Sequence, residues 1–149
     1  MFATLCTLAT LYAASPVTFT LGVHQDAFLA GQPVTVTILD SEQLRRAEEN
    51  ADCVTWRDAS GETGTTCRDG APRLEIAPET FTIDHADLGR PITIRSSTVA
   101  PGERYQISVG GTAVDGCNTA GGSQEGRATR AVSADLELWA TEMACLRDE

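Results

Sequence analysis

Alternating apolar and polar residues predict a succession of half-buried β-strands. The alternation covers residues 17–23 and 34–39, and it returns in RLEIA, ETFTID, PITIRSS, RYQISVGG and RAVSADLELWA. A period of two, bounded by glycine and proline, is typical of strands that present one face to a core. No strand is followed by the long helical pattern that a parallel βαβ protein requires. We therefore predict an all-β fold, an antiparallel sandwich of about seven to nine strands.

One segment, DSEQLRRAEENA at 40–51, departs from this alternation. Asp40 is a suitable N-cap with Gln43 three residues later, and Leu44 and Ala47 share one helical face. The segment predicts one short helix inserted between the second and third strands.

The cysteines predict disulfides. The chain has five cysteines, and one of them, Cys6, lies in the N-terminal segment. The stretch CVTWRDASGETGTTC has a turn-rich centre, so a hairpin there would place Cys53 opposite Cys67, at a separation that a disulfide can bridge. Neither C-x-x-C nor paired histidines occur, which argues against zinc. We predict Cys53–Cys67 and, from the two cysteines that remain, Cys117–Cys145; another pairing of these two, including an intermolecular bond, stays open.

The N-terminal segment, residues 1–15, has the texture of a secretion signal. It is apolar without alternation and ends in small residues, although no basic residue precedes the apolar run. A plain N-terminal strand is the alternative. We expect 16–149 to form the mature domain, extracellular or periplasmic and without a membrane span, since the apolar run is short for a bilayer.

The charge of the chain narrows the choice of partner. The net charge is −10 and all eleven basic residues are arginine. Nucleic-acid binding needs a basic face, and these arginines do not cluster into one. We expect no nucleic acid among the partners.

The stretch PITIRSSTVAPGERYQISVGGTA, at 91–113, contains two predicted strands around a Pro-Gly turn, and Tyr105 opens the second. We expect Tyr105, Ile107 and Val109 to point into the core. Together with LAGQPVTVTI and AVSADLELWA, this stretch resembles bacterial extracellular immunoglobulin-like domains. The resemblance implies an immunoglobulin-like β-sandwich with a tyrosine corner, in which the phenol hydroxyl bonds back to the main chain.

The same resemblance implies that three connections lie at one end of the sandwich. They are the helix-bearing segment after 34–39, the segment HADLGR, and the long glycine-rich segment at 111–130, with the APG turn at the opposite end. Long loops on a rigid scaffold commonly bind partners, and a tolerated disordered insertion at 111–130 is the alternative. A single last strand over 131–140 would carry Cys145 away from Cys117, which weakens that pairing.

The sequence contains no catalytic, cofactor or metal motif. There is no nucleophile elbow, and DGCN at 115–118 is only a fragment of a calcium loop. A solvated loop histidine is the simpler interpretation of His85. Trp139 is predicted to face outward, where it could stack on a sugar or be covered by another segment. The candidate binding residues are His85, Asp87, Arg90, Asp115, Asn118 and Trp139.

These features together predict a non-catalytic, exported binding or structural module. We expect it to contact a protein or a cell-envelope component through the loops at one end. The first alternative is a carbohydrate-binding accessory module that uses exposed aromatic residues. The second is a secreted inhibitor or a small hydrolase without a recognisable motif.

Overall fold

The computed structural model describes residues 16–136 and 138–140, with the backbone alone at 139 and 140. This part of the chain is mostly β-sheet, and α1 is its one α-helix, so the predicted all-β fold with a short helix is confirmed. Three short 3-10 helices lie in connections, at Gln25–Ala27, Arg68–Gly70 and His85–Gly89. The strands are β1 (Val17–Gly22), β2 (Val34–Leu39), β3 (Val54–Arg57), β4 (Thr63–Thr66), β5 (Glu79–Ile83), β6 (Ile92–Ser96), β7 (Arg104–Thr112), β8 (Thr119–Arg127), β9 (Ala131–Asp135) and β10 (Trp139–Ala140), and α1 spans Ser41–Asn50.

Two sheets pack against each other across one hydrophobic core. The smaller has the strand order β6-β1-β9 and the larger β10-β8-β7-β2-β5, while β3 and β4 pair only with each other. Phe19 of the smaller sheet meets Tyr105 of the larger edge-on, with ring centroids 5.1 Å apart. Tyr105, Ile107 and Val109 are buried, as their alternation predicts. The regular strands thus bury every second side chain between two layers.

The hydroxyl of Tyr105 has a different partner from the one that a tyrosine corner implies. It accepts a hydrogen bond from Nε2 of Gln124, on the neighbouring strand, at 2.9 Å. The crossover after β6 is instead fastened by Glu79, whose carboxylate accepts hydrogen bonds from Ser96, Ser97 and Thr98.

The glycine-rich segment is not the long loop that the sequence predicted. Its second half forms β8, which pairs with β7 over nine residues, from Arg104–Arg127 to Thr112–Thr119. Alternation fails here because the core positions are occupied by small or polar residues such as Ala120 and Gln124. The space beside Gly111 is taken by Phe28, since a Cβ on that glycine would lie 3.1 Å from Cδ1 of Phe28. The connection that remains between β7 and β8 is short.

The predicted last strand, 131–140, is divided between the two sheets. β9 runs parallel to β1 in the smaller sheet, and β10 pairs antiparallel with β8 in the larger one. Leu136, between them, is buried. The chain therefore crosses from one layer to the other between β9 and β10.

The helix lies at the opposite end from the other two elaborated connections, contrary to the prediction. α1 begins where β2 ends, and its Ser41 and Glu48 contact Glu103 and Arg104 at the start of β7. The 84–91 and 113–118 connections lie at the far end of the same strands. The prediction was wrong because β2 lies between β5 and β7 in the larger sheet. The end of β2 therefore lies beside the start of β7 and the Pro-Gly turn that precedes it. No helix in the described residues is long and apolar enough to cross a membrane.

Candidate interaction site

Three connections pack together at what we call the loop end: 23–33, 84–91 and 113–118. The N–H of Val114 donates to the carbonyl of Ala27 at 3.0 Å. Nε2 of His85 lies 3.2 Å from the carbonyl oxygen of Gln25 and 3.1 Å from that of Phe28. The structure therefore brings His85, Asp87, Arg90, Asp115 and Asn118 to one end of the molecule.

Three of these candidates are engaged within the fold. The half-buried ring of His85 joins two connections through the contacts given above. Asp115 accepts hydrogen bonds from the main chain of Asn118 at 2.9 Å, from its side-chain amide at 2.7 Å and from the N–H of Cys117 at 3.0 Å, and these bonds lower the pKa of Asp115. Asn118 is buried, so this carboxylate shapes the connection around it.

The two other loop-end candidates, Asp87 and Arg90, are exposed. Arg90 lines an open cleft of about 500 Å³ together with His24 and Asp135. Among the described residues, no group of histidine, cysteine and acidic side chains is arranged to hold a metal ion. Trp139 pairs through its backbone with Gly121, and its side chain lies outside the described part of the structure.

The opposite end carries a disulfide-closed hairpin formed by β3 and β4. Val54 pairs with Thr66 and Arg57 with Thr63, and a disulfide joins Cys53 to Cys67, as the sequence predicts. The side chain of Asp58 holds the turn, because its Oδ1 accepts hydrogen bonds from the hydroxyl of Ser60 and from the N–H of Glu62. Hydrogen bonds from Ser60 and from the turn's main chain lower the pKa of Asp58. We call residues 53–67 the cysteine hairpin.

α1 anchors the base of the cysteine hairpin. Asp40 caps the helix by accepting a hydrogen bond from the N–H of Gln43 at 2.9 Å, and Leu44 is buried beneath the helix. Asn50, at the other end of α1, donates to the carbonyl of Leu74 and accepts from its N–H, each at 2.8 Å. The chain leaving the hairpin is thus fastened to the helix.

The cysteine hairpin exposes apolar side chains that the sandwich does not cover. Val54 is 64% and Trp56 43% exposed, and the third large hydrophobic exposed in the described residues, Val114, lies at the loop end. Trp56 packs over Gly64, where a Cβ would come within 2.5 Å of the indole ring, and its Nε1 donates to Oγ1 of Thr66 at 3.0 Å. The indole is therefore held in place while much of its surface stays in solvent.

The sequence contained a signal for this surface. Val54 and Trp56 alternate like core residues, yet the opposing strand is TGTT and supplies no apolar side chain to either face. A hairpin of that composition has no core of its own. The binding candidates from the sequence rest instead on charge, loop position and, for Trp139, an outward position in the alternation.

Comparison with known proteins finds no similarity that identifies this chain: no family model, no curated protein and no solved structure matches it.

Proposed function

We propose that the protein is an exported, non-catalytic binding module whose cysteine hairpin contacts a protein or a protein component of the cell envelope. The observation that carries the proposal is the position of Val54 and Trp56. They are two of the three exposed large hydrophobics among the described residues, and they lie two positions apart on a ribbon that pairs with neither sheet of the sandwich.

The energetics of association favour such a surface. Tryptophan is among the residues that most often contribute a large share of the binding energy in protein interfaces. Covering about 100 Å² of exposed apolar surface contributes about 2–3 kcal/mol. The disulfide and the bonded turn at Asp58 order the hairpin before it binds, which lowers the entropic cost of association.

Charge indicates what should surround the partner's apolar patch. The chain has 21 acidic and 11 basic residues. Asp52, Asp58 and Glu62 lie in or beside the cysteine hairpin, where Arg57 and Arg68 partly offset them, and Arg68 lies 3.5 Å from Asp52. The net negative charge of the whole chain would steer a partner with basic residues toward the protein, at a rate that falls as salt is added. Disulfides persist in oxidising compartments, which supports export.

The order of strands in the two sheets fits an immunoglobulin-like sandwich if β1 takes the place of strand B. In this proposal β1, β2, β6, β7 and β8 take the places of strands B, C, E, F and G, and β5 that of C′. Supporting it, β2 lies between β5 and β7, β8 flanks β7, and β1 pairs with β6. The cysteine hairpin and α1 then form an insertion between C and C′.

The proposal is tested with Trp56→Ser and, as a matched control, Val114→Thr at the loop end. Each protein is immobilised and used to capture binders from the extracellular and envelope fraction of the source organism. We expect one protein to be captured by the wild type and the Val114 variant and lost, by at least tenfold, with Trp56→Ser. Loss with Val114→Thr and retention with Trp56→Ser would instead assign binding to the loop end and contradict the proposal. Unchanged thermal unfolding of both variants separates binding from folding.

A further inference from the structure

The cysteine hairpin has two faces of different chemistry, and the exposed Trp56 lies on one of them. Side chains alternate along a strand, and residues paired directly across an antiparallel ladder share a face. Because Trp56 pairs with Gly64 and Val54 with Thr66, these four residues share one face, which we call the indole face. The opposite face carries Thr55, Arg57, Thr63 and Thr65.

The ladder continues into the turn and adds two acidic residues to the indole face. The N–H of Asp58 donates to the carbonyl of Glu62 at 2.9 Å, so these residues pair one step beyond the last pair of β3 and β4. By the same alternation, Asp58 and Glu62 lie on the side of the ribbon that carries Trp56. The exposed indole is therefore bordered by carboxylates at the tip of the cysteine hairpin.

Both carboxylates keep oxygen atoms that the fold does not use. The bonds that hold the turn all end on Oδ1 of Asp58, which leaves Oδ2. Within the described residues, the side chain of Glu62 takes part in no hydrogen bond or ion pair. The nearby basic residues do not neutralise them, because Arg57 lies on the opposite face and Arg68 lies 3.5 Å from Asp52 at the base.

The indole offers a partner its π-face rather than its N–H. Nε1 of Trp56 already donates to Oγ1 of Thr66 at 3.0 Å. A Cβ on Gly64 would lie 2.5 to 3.1 Å from three atoms of the six-membered ring, so the ring lies over the glycine with one face against the ribbon. Since Trp56 is 43% exposed, the other face is open to solvent.

A cation is the group that complements an open π-face beside unused carboxylates. Tryptophan attracts cations to its face more strongly than the other aromatic side chains do. A guanidinium fits better than an ammonium group, because it is planar, stacks on aromatic rings and donates to carboxylates in a fork. The net charge of −10 attracts a basic segment from a distance.

From these observations we propose that the indole face binds an arginine side chain of a protein partner. The guanidinium stacks on Trp56, and the carboxylates of Asp58 and Glu62 pair with it. This inference rests on the proposed function, because it names the chemistry that the partner presents to the cysteine hairpin.

The test is a titration of the full chain with three peptides of the form Ac-Gly-Ser-Val-Xaa-Val-Ser-Gly-NH2. Xaa is arginine, lysine or citrulline, which is neutral and has nearly the shape of arginine. The amide signals of 54–66 and the indole N–H of Trp56 report binding by NMR. We expect the arginine peptide to shift these signals saturably and to bind about fivefold more tightly than the citrulline peptide, with the lysine peptide between them.

Two variants separate the π-face from the carboxylates. Trp56→Leu keeps an apolar side chain but removes the π-face, and should weaken binding of the arginine peptide about fivefold. Glu62→Gln removes one charge and leaves the main-chain bonds of the turn in place, with an expected loss of about twofold to fivefold. Arg57→Gln, which changes the charge on the opposite face, is the matched control and should bind at least as tightly as the wild type.

Three outcomes would overturn the inference: no saturable shift with any peptide, equal binding of the arginine and citrulline peptides, or weakening by Arg57→Gln but not by Glu62→Gln. If Trp56→Leu disturbs the hairpin, Glu62→Gln and the citrulline comparison decide the matter. The capture experiment with Trp56→Ser is independent of these outcomes, because it detects a partner held by Trp56 whatever group that partner presents. The inference can therefore fail while the proposed function stands.

Discussion

At the residue scale, Glu79 fastens the crossover between the two sheets, which is the role that the predicted tyrosine corner gives to Tyr105. Its two carboxylate oxygens accept hydrogen bonds from the hydroxyls of Ser96, Ser97 and Thr98 and from the main-chain N–H of Ser97. Partial burial raises the pKa of Glu79, but these bonds lower it by more, so the net shift is downward. The ionised form therefore stabilises the folded protein.

Glu79→Gln should destabilise the protein at neutral pH and remove part of its acid sensitivity. Because the folded pKa is depressed, the stabilisation is complete above the unfolded value of about 4.3 and is lost as pH falls through the folded pKa. Losing charge-assisted bonds at a half-exposed site should cost about 1–2 kcal/mol. Urea unfolding at pH 7 and pH 3 measures this. Glu75→Gln, at an exposed glutamate, is the control, and equal stability of both variants at pH 7 would refute this role.

At the element scale, the cysteine hairpin should unfold when its disulfide is removed, while the sandwich stays folded. β3 is exposed at all four residues, and the ribbon it forms with β4 joins neither of the other sheets. Two-stranded hairpins are marginal in water on their own, and closing a loop of this length contributes about 3 kcal/mol. In Cys53→Ser/Cys67→Ser, amide exchange at 54–66 should rise at least tenfold while that of β7 and β8 stays unchanged.

Hydrogen-exchange mass spectrometry resolves these two regions. Asp58→Ala, which loosens the turn but keeps the disulfide, should raise exchange at 54–66 by less. Simultaneous loss of protection in β7 would show that the cysteine hairpin is integral to the sandwich.

Elements with a strong local signal were predictable from the sequence, and those defined by distant partners were not. Alternation identified β1 and β2, and the Asp40 cap identified α1. β8 was missed because its core-facing positions carry small or polar residues such as Ala120 and Gln124, and the large side chain that fills the space beside Gly111 belongs to Phe28, far away in the chain. The candidate residues of the 84–91 and 113–118 connections lie at one end of the molecule, but local patterns could not reveal that His85 and Asp115 bond within the fold. The exposure of Trp56 likewise depends on which strands lie beside it.

At the scale of the whole molecule, β8 determines where the C-terminal segment leads. β8 reverses the chain between β7 and β9, so β9 runs toward the loop end. β10 continues in that direction, with Trp139 opposite Gly121 and Ala140 opposite Ala120. The chain thus leaves the sandwich beside the 113–118 connection. The distance that weakens the pairing of Cys117 with Cys145 in the sequence prediction comes from the missed β8, because without β8 the segment 131–140 would run antiparallel to β7 and away from the 113–118 connection.

We therefore expect Cys117 to pair with Cys145 within one chain. Cys117 is disulfide-bonded, and Cys145 lies outside the described residues, five positions beyond Ala140. Such a bond would fasten the C-terminal segment to the loop end and leave the cysteine hairpin, at the other end, independent of it. Peptide mapping of the protein without reduction should recover 53–67 and 117–145 pairs, and intact mass should show a monomer with two bridges. A bond from Cys117 to Cys6, or a dimer that reduction dissolves, would contradict this arrangement, because either one requires Cys117 to face a segment other than the one that β10 directs toward it.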